Sequence, residues 1–360
     1  MSEPAKSKSD LRQRAVDKVQ DTGTGTGTDM DTDKRGFPPA KWTRAQPGVN
    51  HGFPQAVAHR GYKASFPENT MGAFRGAVEV GAHAIETDVH LSRDGVVVIA
   101  HDKDLKRCYG VDRAVRDCDW EYLSTLETLK QPRQHMCRLI DVLEFLAEPG
   151  NESVWMLLDI KIDDPPREMI PRIAATIAEA PRRGDWEQRI ILGCWRAEQL
   201  RLCHELLPDF AITHITVSLV LAREYLKIPN IAINMRQESL FGLGGRAFRE
   251  RCQAEGRPLY AWTINKKSWM EWCIGAKVDC VITDDPKLYL EVCERRHKDE
   301  SQQSRSQKAR RAVKAALVKP RDLFLKVFYP LMIKGLMRIF RAYDRLGYPD
   351  QVREELRHLT

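Results

Sequence analysis

Eight short runs rich in β-branched and other apolar residues recur between positions 55 and 283, at 55–59, 84–89, 154–161, 189–194, 211–217, 230–234, 258–263 and 278–283. Between them lie segments of helical length and amphipathic pattern at 69–80, 166–180, 196–206, 219–226, 240–255, 266–275 and 285–297. Strands that alternate with helices cannot be joined by hairpins. They call for right-handed crossovers and a parallel sheet whose strands are buried on both faces. Eight such units predict a closed (β/α)8 TIM barrel of the α/β class. A doubly wound open sheet is the alternative, but no glycine-rich phosphate loop follows the first run. The interval from 84 to 161 is too long for one crossover. It reads as an elaboration after the second strand, with an extra strand at 96–100 and helical stretches near 119–129 and 139–147.

The flanks differ from this body. Residues 1–50 are polar, include the tract Gly23-Thr24-Gly25-Thr26-Gly27-Thr28, and predict a disordered segment ahead of a catalytic barrel at 51–298. A basic linker at 299–320, an amphipathic helix at 321–346 and a polar tail at 347–360 are expected to follow. The chain carries a net charge of +7, yet residues 301–360 alone hold an excess of nine positive charges, so the rest stands near −2. A near-neutral body argues against a nucleic-acid partner, and a basic, apolar tail fits an anionic membrane surface. A basic partner-binding helix of the calmodulin-target kind is the competing reading of that tail. No uncharged apolar run approaches the length of a membrane span, and the N-terminus has no apolar leader. The nine cysteines form no C-x-x-C pair and read as reduced thiols. Together these features predict a membrane-associated protein facing the cytosol, with the mitochondrial outer membrane, the endoplasmic reticulum and lipid droplets as alternatives between which the sequence does not choose.

Chemistry-bearing residues crowd the ends of the first strands. Glu86 and Asp88 are two apart, so on a strand both side chains leave by one face, and Asp159 ends the 154–161 run in the same sense. Taken singly, each acid reads as a solvated strand end paired with Arg60 or Lys161. Taken together, three carboxylates at a barrel mouth form a hard oxygen site suited to Mg2+ or Ca2+. His59 closes the first strand and His101 follows the apolar 96–100 run. Two histidines on opposite sides of a phosphodiester could serve its attacking and leaving oxygens, and Arg60 could bind its phosphate in bidentate fashion. His83, His90, His135, His204 and His214 read instead as hydrogen-bonded core residues.

In order along the chain, Ala58-His59-Arg60-Gly61, Pro67-Glu68-Asn69-Thr70, Glu86-Thr87-Asp88, Asp94-Gly95, His101-Asp102, Asp159-Ile160-Lys161, Trp262-Thr263-Ile264-Asn265 and Thr283-Asp284-Asp285-Pro286 resemble the motifs of the glycerophosphodiester phosphodiesterase family over about 55–290. Leu157-Leu158-Asp159-Ile160-Lys161, Gly193-Cys194-Trp195 and Thr283-Asp284-Asp285-Pro286, joined to the apolar basic tail, further resemble the fungal phosphatidylglycerol-specific phospholipases C. The resemblance implies a metal-dependent phosphoric diester hydrolase with one divalent cation on Glu86, Asp88 and Asp159. It makes His59 and His101 the acid/base pair, gives phosphate to Arg60 and Lys161, and packs Trp262 on the glycerol or lipid part of a glycerophospholipid. Phosphatidylglycerol would then yield diacylglycerol and glycerol 3-phosphate. The alternatives are a glycerophosphodiesterase or lysophospholipase D acting on deacylated or lyso substrates, and a non-catalytic lipid-binding scaffold.

Overall fold

A computed structural model describes residues 36–181 and 185–302. The apolar runs form nine strands: β1 Gln55–His59, β2 Ala84–Leu91, β3 Val97–Ile99, β4 Trp155–Ile160, β5 Ile190–Cys194, β6 Ala211–Thr216, β7 Ala232–Arg236, β8 Leu259–Trp262 and β9 Cys280–Thr283. Eight of them pair in parallel, in the order β1-β2-β4-β5-β6-β7-β8-β9, and β1 also pairs with β9. The circuit is therefore closed, and the eight expected strands are its staves. β3 lies outside the circuit, antiparallel to the upper end of β2, with Val89 opposite Ile99.

The connecting helices are α1 Met71–Glu79, α2 Lys106–Tyr109, α3 Trp120–Leu123, α4 Leu139–Leu146, α5 Pro166–Glu179, α6 Ala197–Leu206, α7 Leu219–Tyr225, α8 Gly242–Ala254, α9 Lys267–Ala276 and α10 Pro286–Gln302. Thr70 starts α1 by accepting the amide of Ala73 on its side chain. The helix expected at 119–129 is only the single turn α3. The Ser124 and Thr125 hydroxyls donate to the carbonyls of Glu121 and Tyr122 and close it, and Glu127 then pairs across an isolated bridge with His135.

Strand parity places the site. Val57, Ala84, Leu157, Tyr260 and Ile282 belong to one buried apolar cluster that also takes Ile191, Ala211 and Ala232, one layer from each stave. Residues of the opposite parity, such as Ala56, Ile85, Leu158 and Leu192, join a second cluster with the helices. The first cluster is the barrel interior. Two residues further along, β1, β2 and β4 present His59, Glu86 and Asp159 on the inward face, β8 presents Trp262, and Asp284 follows the end of β9, all at the carboxyl end where TIM barrels build their sites.

Residues 36–50, expected within the polar leader, belong to the folded domain instead. Phe37, Ala40 and Thr43 are buried, Ala40 and Trp42 join the interior cluster, and Thr43 Oγ1 lies 2.6 Å from the Tyr260 hydroxyl. The few apolar residues among polar ones were enough to cap the barrel floor opposite the mouth. α10 likewise continues through Gln302, so residues 299–302 are helical rather than linker. The expectations for 1–35 and for the linker, amphipathic helix and tail within 303–360 lie outside the described residues. Among the described residues no helix is long and apolar enough to cross a membrane.

Candidate active site

The turn after β1 needs two successive left-handed residues, Arg60 at φ +57° and Gly61 at φ +78°. A Cβ on Gly61 would meet the Ala73 backbone at 2.7 Å, so glycine is required there on both counts. The turn aims the Arg60 amide at Glu86 Oε2, 3.0 Å away, and the guanidinium at two acids. Its Nη1 donates to Glu68 Oε1 at 2.8 Å, and its Nε lies 3.3 Å from Asp88 Oδ2. Asn69, also left-handed, gives its side-chain amide to Asp88 Oδ2 at 2.8 Å and takes the Thr87 hydroxyl on its own oxygen.

Glu86, Asp88 and Asp159 are all buried, and one oxygen from each falls within 4.8 Å of the others. Parallel registry produces this, since Asp88 stands opposite Asp159 across the β2–β4 pair and Glu86 sits one inward position below. Lys161 completes the group. Its ammonium lies 2.6 Å from Asp88 Oδ1 and 2.7 Å from Asp159 Oδ2, and the Trp195 indole donates to the other oxygen of Asp159 at 2.7 Å. Burial, then the neighbouring Asp88 and Asp159 carboxylates, push the Glu86 carboxyl well above its ordinary value. Asp88 goes the other way. Against its burial, Lys161 and Arg60 hold it well below the usual carboxylate range. Two cations cannot neutralise three acids, and the excess falls on Glu86. An all-oxygen donor set with one carboxyl short of a counter-charge fits a hard divalent cation such as Mg2+ or Ca2+, with Glu86, Asp88 and Asp159 as the residues that would hold it.

Each histidine of the mouth is oriented by an acid. His59 Nδ1 lies 2.6 Å from Asp284 Oδ1, and Asp284 Oδ2 accepts the Asn265 amide at 2.8 Å. His101 Nδ1 lies 2.7 Å from Asp102 Oδ1, and Asp102 Oδ2 accepts Arg107 Nε at 2.6 Å. A carboxylate facing Nδ1 keeps the proton there, which leaves Nε2 of each ring free to take or give a proton. Burial lowers the affinity of both rings for a proton, opposed at His59 mainly by Asp284 and at His101 mainly by Asp88. His101 is set beside the acids by the Ala100 amide, which donates to the Asp88 carbonyl at 3.1 Å.

All eight residues singled out from the sequence therefore stand at the barrel mouth, some of them engaged differently from expectation. Arg60 and Lys161, expected on phosphate, are paired with acids of the site. Trp262 is half-buried, with its ring edge-on to Trp195 at 6.0 Å between centroids. A cavity of about 520 Å³ adjoins the site, lined in part by Lys63, Glu68, Arg107, Lys130, Asn265 and Asp284. Sequence reasoning assigned no role to Glu68, Asn69, Asp102, Arg107, Trp195, Asn265 or Asp284, although most of them lie in quoted motifs. Of the other histidines, His83, His90 and His214 bond inside the fold, whereas His204 packs edge-on against Phe37 at 5.1 Å with its buried Nδ1 unbonded among the described residues. His135 is an exposed residue facing Glu127 at 3.7 Å, while its neighbours Met136 and Cys137 turn into the core.

Comparison with known proteins places this geometry. A model of the glycerophosphoryl diester phosphodiesterase family matches residues 59–288. A glycerophosphodiester phosphodiesterase of Caldanaerobacter subterraneus is 28% identical over 244 residues, covering 66% of this chain and 96% of its own length. A lysophospholipase D of Rattus norvegicus is 24% identical over 267 residues, covering 64% and 83% respectively. The crystal structure of a glycerophosphodiester phosphodiesterase from Thermotoga maritima superposes with a TM-score of 0.54 at 26% identity, over 66% of this chain and 98% of its own.

Proposed function

The chain belongs to the glycerophosphoryl diester phosphodiesterase family, whose members hydrolyse phosphoric diesters, and on that premise we propose that it cleaves a glycerophosphodiester at the barrel mouth with a divalent cation bound. The observation that carries this reading is the pairing of two acid-oriented histidines, His59–Asp284 and His101–Asp102, with the buried cluster Glu86, Asp88 and Asp159. When bound, the cation supplies positive charge to the phosphoryl oxygens and to the three carboxylates.

The chain's own groups do the rest. Arg60 and Lys161 are the cations nearest the acids, and with the cluster's charge satisfied their side chains are free to turn from carboxylate to phosphate oxygens. One ring, neutral and with its tautomer set by its acid partner, takes the proton of the attacking hydroxyl at Nε2, and the other ring, protonated, gives a proton to the leaving alcohol. The barrel rim holds the two rings and the phosphate in one place, which supplies orientation before any bond changes. Trp262 stands beside Trp195 at the rim, where it can pack on the glycerol part of the substrate.

The substrate favoured is a deacylated or lyso glycerophosphodiester. Seven of the twelve residues lining the adjoining cavity carry charged or amide side chains, which can bind a polar alcohol, and a relative carries the name lysophospholipase D. The phosphatidylglycerol reading keeps its motifs around Asp159, Trp195 and Asp284 together with the tail at 321–346, the segment proposed to meet an anionic membrane surface. The test is a substrate panel offered to the purified full chain with Mg2+ or Ca2+, comprising glycerophosphodiesters, lysophospholipids and vesicles containing phosphatidylglycerol, with products separated by headgroup. Preferred turnover of the first two classes supports the proposal. Turnover confined to phosphatidylglycerol, releasing diacylglycerol, replaces it with the phospholipase C reading, and turnover of none contradicts both.

A further inference from the structure

One guanidinium joins the two halves of the site. Arg107 sits on the single-turn α2 in the segment inserted after β3, and three of its donors are engaged. Nε donates to Asp102 Oδ2 at 2.6 Å, Nη1 to Glu68 Oε2 at 2.9 Å and Nη2 to Glu68 Oε1 at 2.6 Å. The remaining oxygen of Asp102 faces His101 Nδ1, and Glu68 Oε1 also takes Arg60 Nη1. We propose that Arg107 is a positioning residue: it locks the Asp102 that orients His101 onto the Glu68 that holds Arg60, and so fixes the proton-transfer group of the inserted segment relative to the turn after β1. The inference rests on the acid/base reading of His101.

The residue type follows from this task. Glu68 and Asp102 come from separate segments, and two carboxylates meeting at a rim repel unless a cation stands between them. The planar fork of arginine bonds Glu68 through both terminal nitrogens while Nε reaches a second acid, whereas a lysine ammonium is a point charge that cannot present that geometry. Both acids respond. Against their burial, Arg107 is the leading group holding Glu68 and Asp102 below the usual carboxylate range. Asp102 thereby keeps its charge toward His101 as the ring gains and loses a proton. The other histidine is served differently, since the second oxygen of Asp284 is taken by the neutral amide of Asn265.

The fold of the segment does not depend on this side chain. Leu105 is fully buried in a small apolar cluster, its amide donates to the Arg113 carbonyl at 3.0 Å, and Asp104 caps the Lys106 amide at 3.0 Å. The Arg107 side chain is 48% exposed. Its removal should leave the turn standing and release only the two acids.

The test compares R107Q and R107K in the wild-type, D102N and E68Q backgrounds, measuring kcat and KM on a glycerophosphodiester and the Nδ1 resonance of His101 in protein labelled with 15N-histidine. R107Q should lower kcat by about 10- to 100-fold, as loss of a group that orients a site residue does, a larger effect than any change in KM from its place in the cavity wall. R107K should recover only part of that loss. R107Q should cost nothing further once Asp102 is already Asn, and the His101 Nδ1 resonance should move in R107Q. A loss confined to KM, full additivity with D102N, or an unmoved His101 resonance would each overturn the proposal. A wild-type chain without glycerophosphodiesterase activity would overturn the functional reading instead, and the resonance would still decide whether Arg107 orients His101.

Discussion

The ammonium of Lys161 lies 2.6 Å from Asp88 Oδ1, in a cluster where three buried carboxylates meet only two cations. The imbalance falls on Glu86, whose carboxyl is pushed well above its ordinary value by burial and by the neighbouring Asp88 and Asp159 carboxylates. A divalent cation at this cluster would reverse that balance. Adding Mg2+ or Ca2+ to chelator-treated protein should therefore raise the melting temperature. At a hundred times its Kd a ligand of the folded state adds about 2.7 kcal/mol, or roughly 5–10 °C for a domain of this size. Differential scanning fluorimetry with and without EDTA measures the shift, which E86Q should abolish. An unchanged melting temperature in the wild type would count against the metal site.

His59 depends on Asp284 for its orientation, through a contact of 2.6 Å between residues 225 apart in the chain. Removing the ring in H59A should lower kcat by about 10²- to 10⁴-fold, the usual contribution of a positioned acid or base. D284N keeps the shape of the acid but loses its charge, and should lower kcat with a smaller effect on KM. Circular dichroism that matches the wild type would assign the loss to chemistry rather than to folding. Unchanged turnover in both variants would remove His59 from the mechanism.

That 225-residue separation also shows what the sequence could carry and what it could not. Strands buried on both faces must be apolar and β-branched over short runs, so the eight staves were legible, and the pairs Glu86/Asp88 and Asp159/Lys161 carried their common direction in a spacing of two. The barrel itself brings β1, β2 and β4 side by side, which is why residues from distant motifs share one mouth. The partners that orient them were not legible in the same way. Asp284, Asn265, Trp195, Glu68 and Arg107 meet their targets through side-chain contacts between segments, and no periodicity encodes such a contact. Their signal lay in motifs such as Thr283-Asp284-Asp285-Pro286 and Pro67-Glu68-Asn69-Thr70, where polar residues follow strand ends. Residues 36–50 misled for the opposite reason, since a floor held by Phe37, Ala40 and Thr43 needs too few apolar residues to show a pattern.

Trp195 is the residue that fixes Asp159, its indole donating to one oxygen while Lys161 takes the other. W195F keeps a flat apolar ring and removes the donor. Groups of this kind behind a metal ligand typically contribute 10- to 100-fold in affinity, so W195F should weaken divalent-cation binding by about that factor. Isothermal titration with Mg2+ or Ca2+ on wild type and variant makes the comparison, and equal affinities would show that Asp159 needs no such support.

His214 provides a test of stability away from the chemistry. It is fully buried, stacks on Tyr225 at 3.5 Å and faces the Cys194 carbonyl with Nδ1, and burial pushes its pKa down to about 3 from an ordinary 6.5. The unfolded chain therefore binds a proton that the folded one refuses. The contribution is fully present above pH 6.5 and is lost as pH falls toward 3, at roughly 1.4 kcal/mol per unit. H214Q, which does not titrate, should show a correspondingly shallower loss of stability between pH 6 and 4, read from urea midpoints (about one proton's worth). Parallel pH dependence in wild type and variant would contradict a neutral buried ring.

On the proposed function, the carboxylate cluster and the two acid-paired histidines form one metal-dependent phosphodiesterase site. The most direct measurement follows phosphomonoester release from a glycerophosphodiester by 31P NMR, with the purified full chain stripped by EDTA and then given Mg2+ or Ca2+. Turnover should vanish on chelation, return with the cation, stay absent in D88N, and fall by about 10²- to 10⁴-fold in H101A. Turnover that persists in EDTA, or that stays at the wild-type rate in either variant, would contradict a single metal-dependent site.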